Sequence, residues 1–190
     1  MIPRIVVIGA SAGGVKAIRN FFDSLPPEPL SIAFFIVIHM SKSSSVDYEL
    51  LYGENFKGGI EEIKDKTEIK VGQAYFAPAG YHVLIEKDGS FALTQDEPVH
   101  FARPSIDVCF SSVASTLGRK SCGVLLTGSN GDGALGLKDL AESGALTLVQ
   151  DPKTCEYSAM PLAALALFKP SAVLSVPAIA ARVASWARDF

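Results

Sequence analysis

The sequence predicts an α/β fold: a doubly wound, mostly parallel sheet in a three-layer α/β/α sandwich, with a small antiparallel hairpin insertion. Three observations predict it. Strand-like and helix-like segments alternate along most of the 190 residues. The run Ile32–Ile38 is apolar at every position, as in a parallel strand that is buried on both faces. Asp88-Gly89 separates two short strand-like runs, which indicates a hairpin. We expect residues 1–190 to form a single domain.

The first half of the chain begins with an apolar, β-branched strand that ends just before Ser11. Apolar residues at helical spacing then predict a helix over residues 13–24, and the prolines from Pro26 onward end it. A second strand ends at His39, and residues 43–52 are predicted to form a short helix. The next four strand-like runs predict an antiparallel insertion at the sheet edge; they are Ile60–Ile63, Ala74–Ala77, Val83–Glu86 and Ser90–Leu93.

The second half of the chain returns to alternating strands and helices. After Pro104, apolar residues at helical spacing predict a helix with Ser105 as its N-cap. The remaining predicted elements are a strand Cys122–Leu126, a helix Asp132–Ser143, a strand Ala145–Val149, a helix Ser158–Leu167, a strand Ala172–Val176 and a helix Ala178–Ala187.

Composition and charge exclude several classes of protein. The formal net charge of −3 provides no basic field, so we expect neither nucleic acid nor an anionic membrane as the main partner. The three cysteines lack a C-x-x-C spacing, which argues against a disulfide framework and a structural zinc site. The apolar stretch Leu30–Met40 has about half the length that spans a bilayer. We therefore expect a cytoplasmic protein without membrane insertion, metal or cofactor.

Ser11 is the first candidate for chemistry. It stands in Gly9-Ala-Ser11-Ala-Gly13, the G-x-S-x-G spelling, between a strand and a helix, a context that exposes a serine hydroxyl at a sharp turn. The following helix start supplies N–H groups and partial positive charge where an oxyanion would form. These features favour a nucleophilic serine. A small polar turn residue or a helix N-cap is the competing structural interpretation.

His39 and Asp132 follow two other predicted strands, and ligands of open α/β sheets bind beyond the carboxyl ends of the strands. Together with Ser11 they supply a nucleophile, a general base and an orienting carboxylate. Each alone has a structural alternative, because a lone histidine is commonly a satisfied strand-end residue and Asp132 lies among turn residues. Their coincidence at strand ends favours a catalytic triad.

Other polar side chains receive structural or peripheral interpretations. His82 and His100 are competing bases, but neither follows a central strand. Cys109 falls on the apolar face of its helix and is predicted to be a core thiol. Arg103 is either a substrate-placing residue or an ion-pair partner of Asp107, and we favour the ion pair.

Dinucleotide binding by an oxidoreductase is the more distant alternative, because a glycine-rich turn after the first strand can hold a pyrophosphate. The G-x-G-x-x-G pattern requires glycine at position 11, where serine stands. The second strand ends in His39 rather than in the acidic residue that binds ribose.

With these residues in view, the chain resembles the catalytic domain of the chemotaxis protein-glutamate methylesterases, the CheB family. The matching segments run almost from end to end and occur in the family's order. They are Val7-Ile-Gly-Ala-Ser11-Ala-Gly-Gly14, Ile38-His39-Met40, Tyr75-Phe-Ala-Pro78 with His82, Arg103-Pro-Ser105 with Asp107, Gly123-Val-Leu-Leu-Thr-Gly128 with Asp132-Gly133, and Met160-Pro161.

The resemblance implies hydrolysis of γ-glutamyl methyl esters on the cytoplasmic helices of methylated chemoreceptors, and also deamidation of receptor glutamine. It implies Ser11 as nucleophile, His39 as base and Asp132 as third member, with other chemosensory proteins as further partners. The backbone N–H groups of Ala12 and Ser129 are the expected oxyanion donors. No cofactor is implied.

The chain departs from the family pattern at several positions. Ser129 replaces the methionine of the family's T-G-M-G-x-D-G segment, Ala12 replaces a frequent threonine, and Leu162 replaces an arginine. Ser41–Ser45 lacks the family's proline-rich continuation. The sequence begins at the first catalytic strand, so we expect either a truncated chain or a stand-alone domain without a receiver domain. The altered loops favour the alternative function, a weak or inactive esterase-like module that binds signalling proteins.

Overall fold

The computed structural model describes residues 2–40 and 46–189. Within these residues the chain forms strands and helices in alternation. The strands are β1 (Arg4–Ala10), β2 (Ile32–Ile38), β3 (Gly59–Glu62), β4 (Gln73–Phe76), β5 (His82–Ile85), β6 (Phe91–Thr94), β7 (Ser121–Leu125), β8 (Leu146–Gln150) and β9 (Ala172–Leu174). The α-helices are α1 (Gly14–Asp23), α2 (Tyr48–Tyr52), α3 (Ile106–Leu117), α4 (Ala134–Glu142), α5 (Ala159–Leu167) and α6 (Val176–Arg188).

Seven strands form one parallel sheet in the order β3-β4-β2-β1-β7-β8-β9. The chain leaves β1 toward β2 on one side and later returns to β7 on the other side. This reversal beside β1 is the position at which open α/β sheets bind ligands. The strand order therefore places the residues that follow β1, β2 and β7 at neighbouring points of one edge.

Helices cover both faces of the sheet, as the continuous apolar strands require. Alternate residues of β1 point to opposite faces: Val6 and Ile8 pack in the core that includes residues of α1, α2 and α6, whereas Ile5 and Val7 pack in the core that includes residues of α3, α4 and α5. The predicted doubly wound, three-layer fold is confirmed. No helix among the described residues is both long and apolar enough to cross a membrane.

The predicted antiparallel insertion is partly wrong. The runs around Ile60–Ile63 and Ala74–Ala77 form β3 and β4, which are parallel to each other and extend the main sheet beyond β2. Among these four predicted runs, only those that form β5 and β6 are antiparallel strands of one sheet, which is a separate two-stranded sheet around the Asp88-Gly89 turn. A short apolar run fixes strand character, but its partner depends on long-range packing that the run itself does not encode.

The predicted helices are present with shifted ends. Ser105 is the N-cap of α3 and accepts a hydrogen bond from the N–H of Val108, as expected. The helix predicted over residues 43–52 begins only at Tyr48, with Asp47 as its N-cap. Its residues 43–45, together with the altered segment Ser41–Ser45, lie outside the described part of the chain.

Gly9 allows α3 to approach β1 closely. A Cβ atom at this position would lie 2.4 Å from Cγ2 of Ile106 in the first turn of α3. Such a contact is sterically forbidden, so only glycine permits the observed packing. The N-terminus of α3 is thereby brought to the edge of the sheet where Ser11 and Asp132 lie.

Candidate active site

Ser11 lies directly after β1, in the turn that leads into α1. Its N–H donates to the carbonyl of Thr127, 3.0 Å away, which ties the turn to the end of β7. Gly13 has a φ of 77°, a left-handed conformation that favours glycine. The residue is partly exposed, and its hydroxyl makes no hydrogen bond to the described residues. The serine is therefore placed at the open edge of the sheet, as the G-x-S-x-G pattern predicts.

His39 follows β2, and its ring reaches Asp132. Nε2 of His39 lies 2.8 Å from Oδ2 of Asp132. The His39 side chain is 15% exposed, and the Asp132 side chain is fully buried. An ionised carboxylate only accepts hydrogen bonds, so Nε2 carries the proton in the neutral ring. Nδ1 is then the nitrogen that can accept a proton from a nucleophile. The structure therefore brings together the predicted base and the predicted carboxylate.

Asp132 is held at the N-terminus of α3 by four donors. Oδ2 accepts from His39 and from the N–H of Ile106 at 2.7 Å. Oδ1 accepts from the hydroxyl of Ser105 at 2.9 Å and from the N–H of Asp107 at 3.0 Å. A helix N-terminus stabilises an anion through its free N–H groups and its dipole. This arrangement fixes both the orientation and the charge of Asp132.

Opposing effects act on the pKa of Asp132. Burial by itself raises it, but the hydrogen bonds from His39, from the N–H groups of Asp107 and Ile106 and from Ser105 outweigh burial. The net result is a pKa below the usual value of 3.8. Asp132 therefore stays ionised near neutral pH, as an orienting carboxylate must.

Two backbone N–H groups near Ser11 are free to bind a ligand. The amides of Ala12 and Ser129 donate no hydrogen bond to any described residue. Ala12 follows Ser11 before α1 begins, and Ser129 lies in the loop after β7 that leads to Asp132. Their availability fits the expected role of oxyanion donors. Ser129 itself is exposed, so its side chain does not block the loop.

Thr127 contacts the Ser11 turn, which the sequence analysis did not predict. Its hydroxyl lies 3.0 Å from the carbonyl of Ala12 and accepts a hydrogen bond from the N–H of Tyr157 at 2.9 Å. Its own N–H donates to Oε1 of Gln150. Thr127 thus positions the Ser11 turn against the loop that follows β8. The sequence feature that could have indicated this role is the position of Thr127 just after β7, shortly before Ser129 and Asp132.

Ser105 also contributes more than the predicted helix cap, because its hydroxyl donates to Asp132. Its N–H donates to Nδ1 of His82, and Nε2 of His82 donates to the carbonyl of Glu97 at 3.1 Å. Both ring nitrogens of the buried His82 are therefore occupied, as expected for a structural histidine. His100 is 3.5 Å from Oδ2 of Asp107 and is largely exposed, and it makes no contact with Asp132 or Ser11 among the described residues, unlike the candidate base His39.

The predicted ion pair between Arg103 and Asp107 is wrong. Nη1 of Arg103 donates to the carbonyls of Gln95 and Asp96. Asp107 points instead toward α4, where Oδ1 accepts the N–H of Gly136 at 2.7 Å. The first turn of α3 directs this carboxylate away from the segment that Arg103 reaches.

The described residues contain no cluster of three or more His, Cys, Asp or Glu side chains arranged to hold a metal ion. Cys109 and Cys122 are buried and Cys155 is half-buried, and all three are free thiols. Burial raises the pKa of Cys109 to about 12. Cys109 is therefore an inert core thiol, as predicted.

Comparisons with known proteins identify the family and the fold. A family profile described as CheB methylesterase matches residues 6–183. The crystal structure of the Thermotoga maritima CheB methylesterase catalytic domain superimposes with a TM-score of 0.91, covering 98% of this chain and all of that domain at 24% identity. That likeness establishes the fold.

Sequence relatives carry the name protein-glutamate methylesterase/protein-glutamine glutaminase. One from Leptospira interrogans is 42% identical over 175 residues, covering 92% of this chain and 90% of the relative. One from Oleidesulfovibrio alaskensis is 36% identical over 183 residues, covering 95% of this chain and 51% of the relative. The chain thus spans nearly all of the first relative and about half of the second. It belongs to the CheB methylesterase family.

Proposed function

We propose that this protein is a serine hydrolase that removes γ-methyl groups from glutamate esters of methylated chemoreceptors, with Ser11, His39 and Asp132 as its catalytic triad. Family membership and the names of its relatives support the esterase activity. The single observation that supports the triad most strongly is the 2.8 Å contact between Nε2 of His39 and the buried, multiply hydrogen-bonded Oδ2 of Asp132.

In the proposed reaction, Oγ of Ser11 attacks the ester carbonyl carbon while Nδ1 of His39 accepts the hydroxyl proton. The serine requires this base because its hydroxyl is not ionised near neutral pH. Asp132 keeps the ring in the tautomer with Nδ1 unprotonated and stabilises the imidazolium that forms. The lowered pKa of Asp132 suits this role, since the carboxylate carries its charge throughout.

The tetrahedral intermediate carries negative charge on the former carbonyl oxygen, and the N–H groups of Ala12 and Ser129 are the proposed donors to it. Collapse breaks the bond to the methoxy group, which leaves as methanol with the proton from His39. A glutamyl ester on Ser11 remains. Water then attacks this ester with His39 as base; the bond to Oγ of Ser11 breaks, which frees the glutamate side chain of the substrate protein as a carboxylate and restores the hydroxyl of Ser11.

Deamidation of glutamine follows the same route. The amide carbon is attacked by Ser11, and His39 protonates the departing nitrogen, which leaves as ammonia. The resulting glutamyl ester is identical to that formed from the methyl ester, so one site serves both substrates.

Methanol release from a methylated chemoreceptor fragment tests the proposal. Ser11→Ala is expected to lower the rate roughly a millionfold if chemistry is rate-limiting, because it removes the attacking atom. Ser115→Ala, a change of an exposed serine in the second half of α3, serves as the matched control and should leave the rate unchanged. Unaltered turnover by Ser11→Ala would refute the serine mechanism.

Labelling by a fluorophosphonate separates this function from the alternative of an inactive binding module. An activated Ser11 reacts with the probe and Ser11→Ala does not. A chain that remains unlabelled and releases no methanol, yet binds the receptor fragment, would support the alternative. The cytoplasmic location and the link to other chemosensory proteins stay predictions.

A further inference from the structure

The turn formed by residues 99–102, which we call the 99–102 turn, has an unfavourable backbone conformation. The N–H and carbonyl groups of Val99 and Ala102 exchange two hydrogen bonds, of 3.1 and 2.9 Å. The two residues between them, His100 and Phe101, have φ values of 50° and 62°. A two-residue turn with both φ values positive normally carries Asn-Gly, and a bulky side chain in this region is strained.

Phe101 at this turn is fully exposed, with a relative accessibility of 103%. Phenylalanine stabilises a fold by burial, and here it buries nothing. The residue therefore combines a backbone cost with an exposed apolar ring. Strained residues persist chiefly where function maintains them, so the combination points to a contact made with another molecule.

The 99–102 turn is tied to the residues that hold the catalytic carboxylate. Nε2 of His100 lies 3.5 Å from Oδ2 of Asp107, whose N–H donates to Asp132. Ser105, three residues beyond the turn, donates its hydroxyl to Asp132. The segment that carries Phe101 is therefore linked through His100 and Ser105 to the residues that contact Asp132.

Three further apolar side chains are about half exposed on segments that adjoin the loop Gly128–Asp132. Leu135 lies in the first turn of α4, which this loop leads into. Tyr157 accepts the N–H of Gly128 through its carbonyl. Leu162 is adjacent to Ala163, which would contact a Cβ atom added at Gly131. We call these three side chains and Phe101 the site rim, because each lies on a segment linked to Asp132 or to the loop that leads to it.

We propose that Phe101 is a docking residue for the substrate protein, and that it contacts apolar side chains that flank the modified glutamate in an amphipathic segment. This inference rests on the proposed function, because a protein ester must approach the open edge at Ser11. Binding energy from parts of a substrate remote from the reacting bond is a general source of specificity, and exposed aromatic residues are common anchors of interfaces.

The sheet topology favours docking through side chains. The sheet ends in β3 and β9, whereas Ser11 follows β1, the central strand. A substrate segment therefore cannot add to the sheet as a further strand beside Ser11. An amphipathic segment that lies across the site rim can place its glutamate ester at Ser11 and its apolar side chains on Phe101.

Steady-state methanol release from a methylated chemoreceptor fragment, compared with hydrolysis of the small ester p-nitrophenyl acetate, tests the inference. Phe101→Asp is expected to raise KM for the receptor fragment at least tenfold while kcat and p-nitrophenyl acetate hydrolysis stay unchanged. Val71→Asp is the matched control, because Val71 is 53% exposed and lies before the amino end of β4, whereas Ser11 follows the carboxyl end of β1. This control should leave both activities unchanged.

Phe101→Gly provides a second, independent readout. Glycine tolerates the left-handed backbone, so we expect Tm to rise by about 2 °C while KM for the receptor fragment rises as it does in Phe101→Asp. A rise in stability together with weaker substrate binding distinguishes lost docking from damage to the fold.

Wild-type KM in both Phe101 variants would overturn the inference while leaving the proposed function intact. A change of oligomeric state or of vesicle binding in these variants, with KM unaltered, would assign Phe101 to a different partner and overturn it as well. Absence of methanol release from the wild-type protein would refute the proposed function and this inference together.

Discussion

The side chains of Asp107 and Asp132 cap each other's helices. Asp132 precedes α4 and accepts the N–H groups of Ile106 and Asp107 at the start of α3. Asp107, in the first turn of α3, accepts the N–H of Gly136 at the start of α4. This exchange joins the two helices at their N-termini. The candidate catalytic carboxylate is therefore also part of the framework that holds α3 against α4.

Asp132→Asn is expected to reduce stability in a pH-dependent way. The pKa of Asp132 is lower in the folded state than its unfolded-state pKa near 3.8. The charged carboxylate therefore stabilises the fold above the unfolded-state pKa, and this stabilisation is lost as pH falls through the folded-state pKa. Loss of the charge should cost about 3 kcal/mol at pH 7, because several charge-assisted hydrogen bonds weaken together. Urea unfolding at pH 7 and pH 3 measures the difference, which should shrink at pH 3. An equal loss at both pH values would contradict the charge-based explanation.

Asp107→Asn is expected to have the opposite pH dependence. Burial raises the pKa of Asp107 and the charge of Asp132 adds to this, against the hydrogen bond from Gly136. Because the pKa of Asp107 is higher in the folded state, the protonated carboxyl stabilises the wild-type fold, and this stabilisation is lost as pH rises through the folded-state pKa. Asparagine carries no charge at any of these pH values and still offers an acceptor for the N–H of Gly136. The free energy of unfolding of the variant should therefore increase relative to wild type between acid and neutral pH. The same urea series checks this, and a relative decrease would refute it.

Ser105→Ala tests whether the hydroxyl positions Asp132 for catalysis. Removing the 2.9 Å hydrogen bond is expected to lower kcat about tenfold with little change in KM, because hydrogen bonds to charged groups are worth about 1.5–3 kcal/mol. Loss of the N-cap should also cost about 1 kcal/mol of stability. Ser105→Thr retains a hydroxyl and should restore kcat. If Ser105→Ala loses stability but keeps the wild-type kcat, the role of Ser105 is only structural.

Gly9→Ala should separate β1 from α3. The added methyl group would meet Ile106 at 2.4 Å, and overpacking of this kind costs about 1–3 kcal/mol. Activity should fall as well, because the N-terminus of α3 holds Asp132. Ile106→Ala removes the opposing methyl group, so the double variant should lose less stability than the sum of the two single changes. A strictly additive result in urea unfolding would argue against this contact as the cause.

The approach of His39 to Asp132 and the position of Ser11 after β1 were predictable, because parallel strands carry their C-terminal ends to one side of the sheet. The assignment of these three residues as a catalytic triad stays a prediction. The roles of Ser105 and Thr127 depend on how α3 and the loop after β8 approach this edge, which are contacts between distant parts of the chain. Local sequence patterns do not contain that information, and the same limit explains the misassigned pairing of β3 and β4.

Substitutions of Ser129 test whether its backbone N–H or its side-chain hydroxyl donates to the oxyanion. Ser129→Ala and Ser129→Met both keep the N–H group that donates to no described residue, so each should retain kcat within about threefold. Ser129→Pro removes that donor and should lower kcat about 100- to 1000-fold, the usual cost of one lost oxyanion contact. Circular dichroism and Tm of the proline variant establish that it is folded. Because Ser129 is exposed, a large effect of Ser129→Ala would instead show that its hydroxyl contacts the substrate. The ratio of the effects of Ser129→Ala and Ser129→Pro on kcat therefore decides between the hydroxyl and the backbone N–H of Ser129.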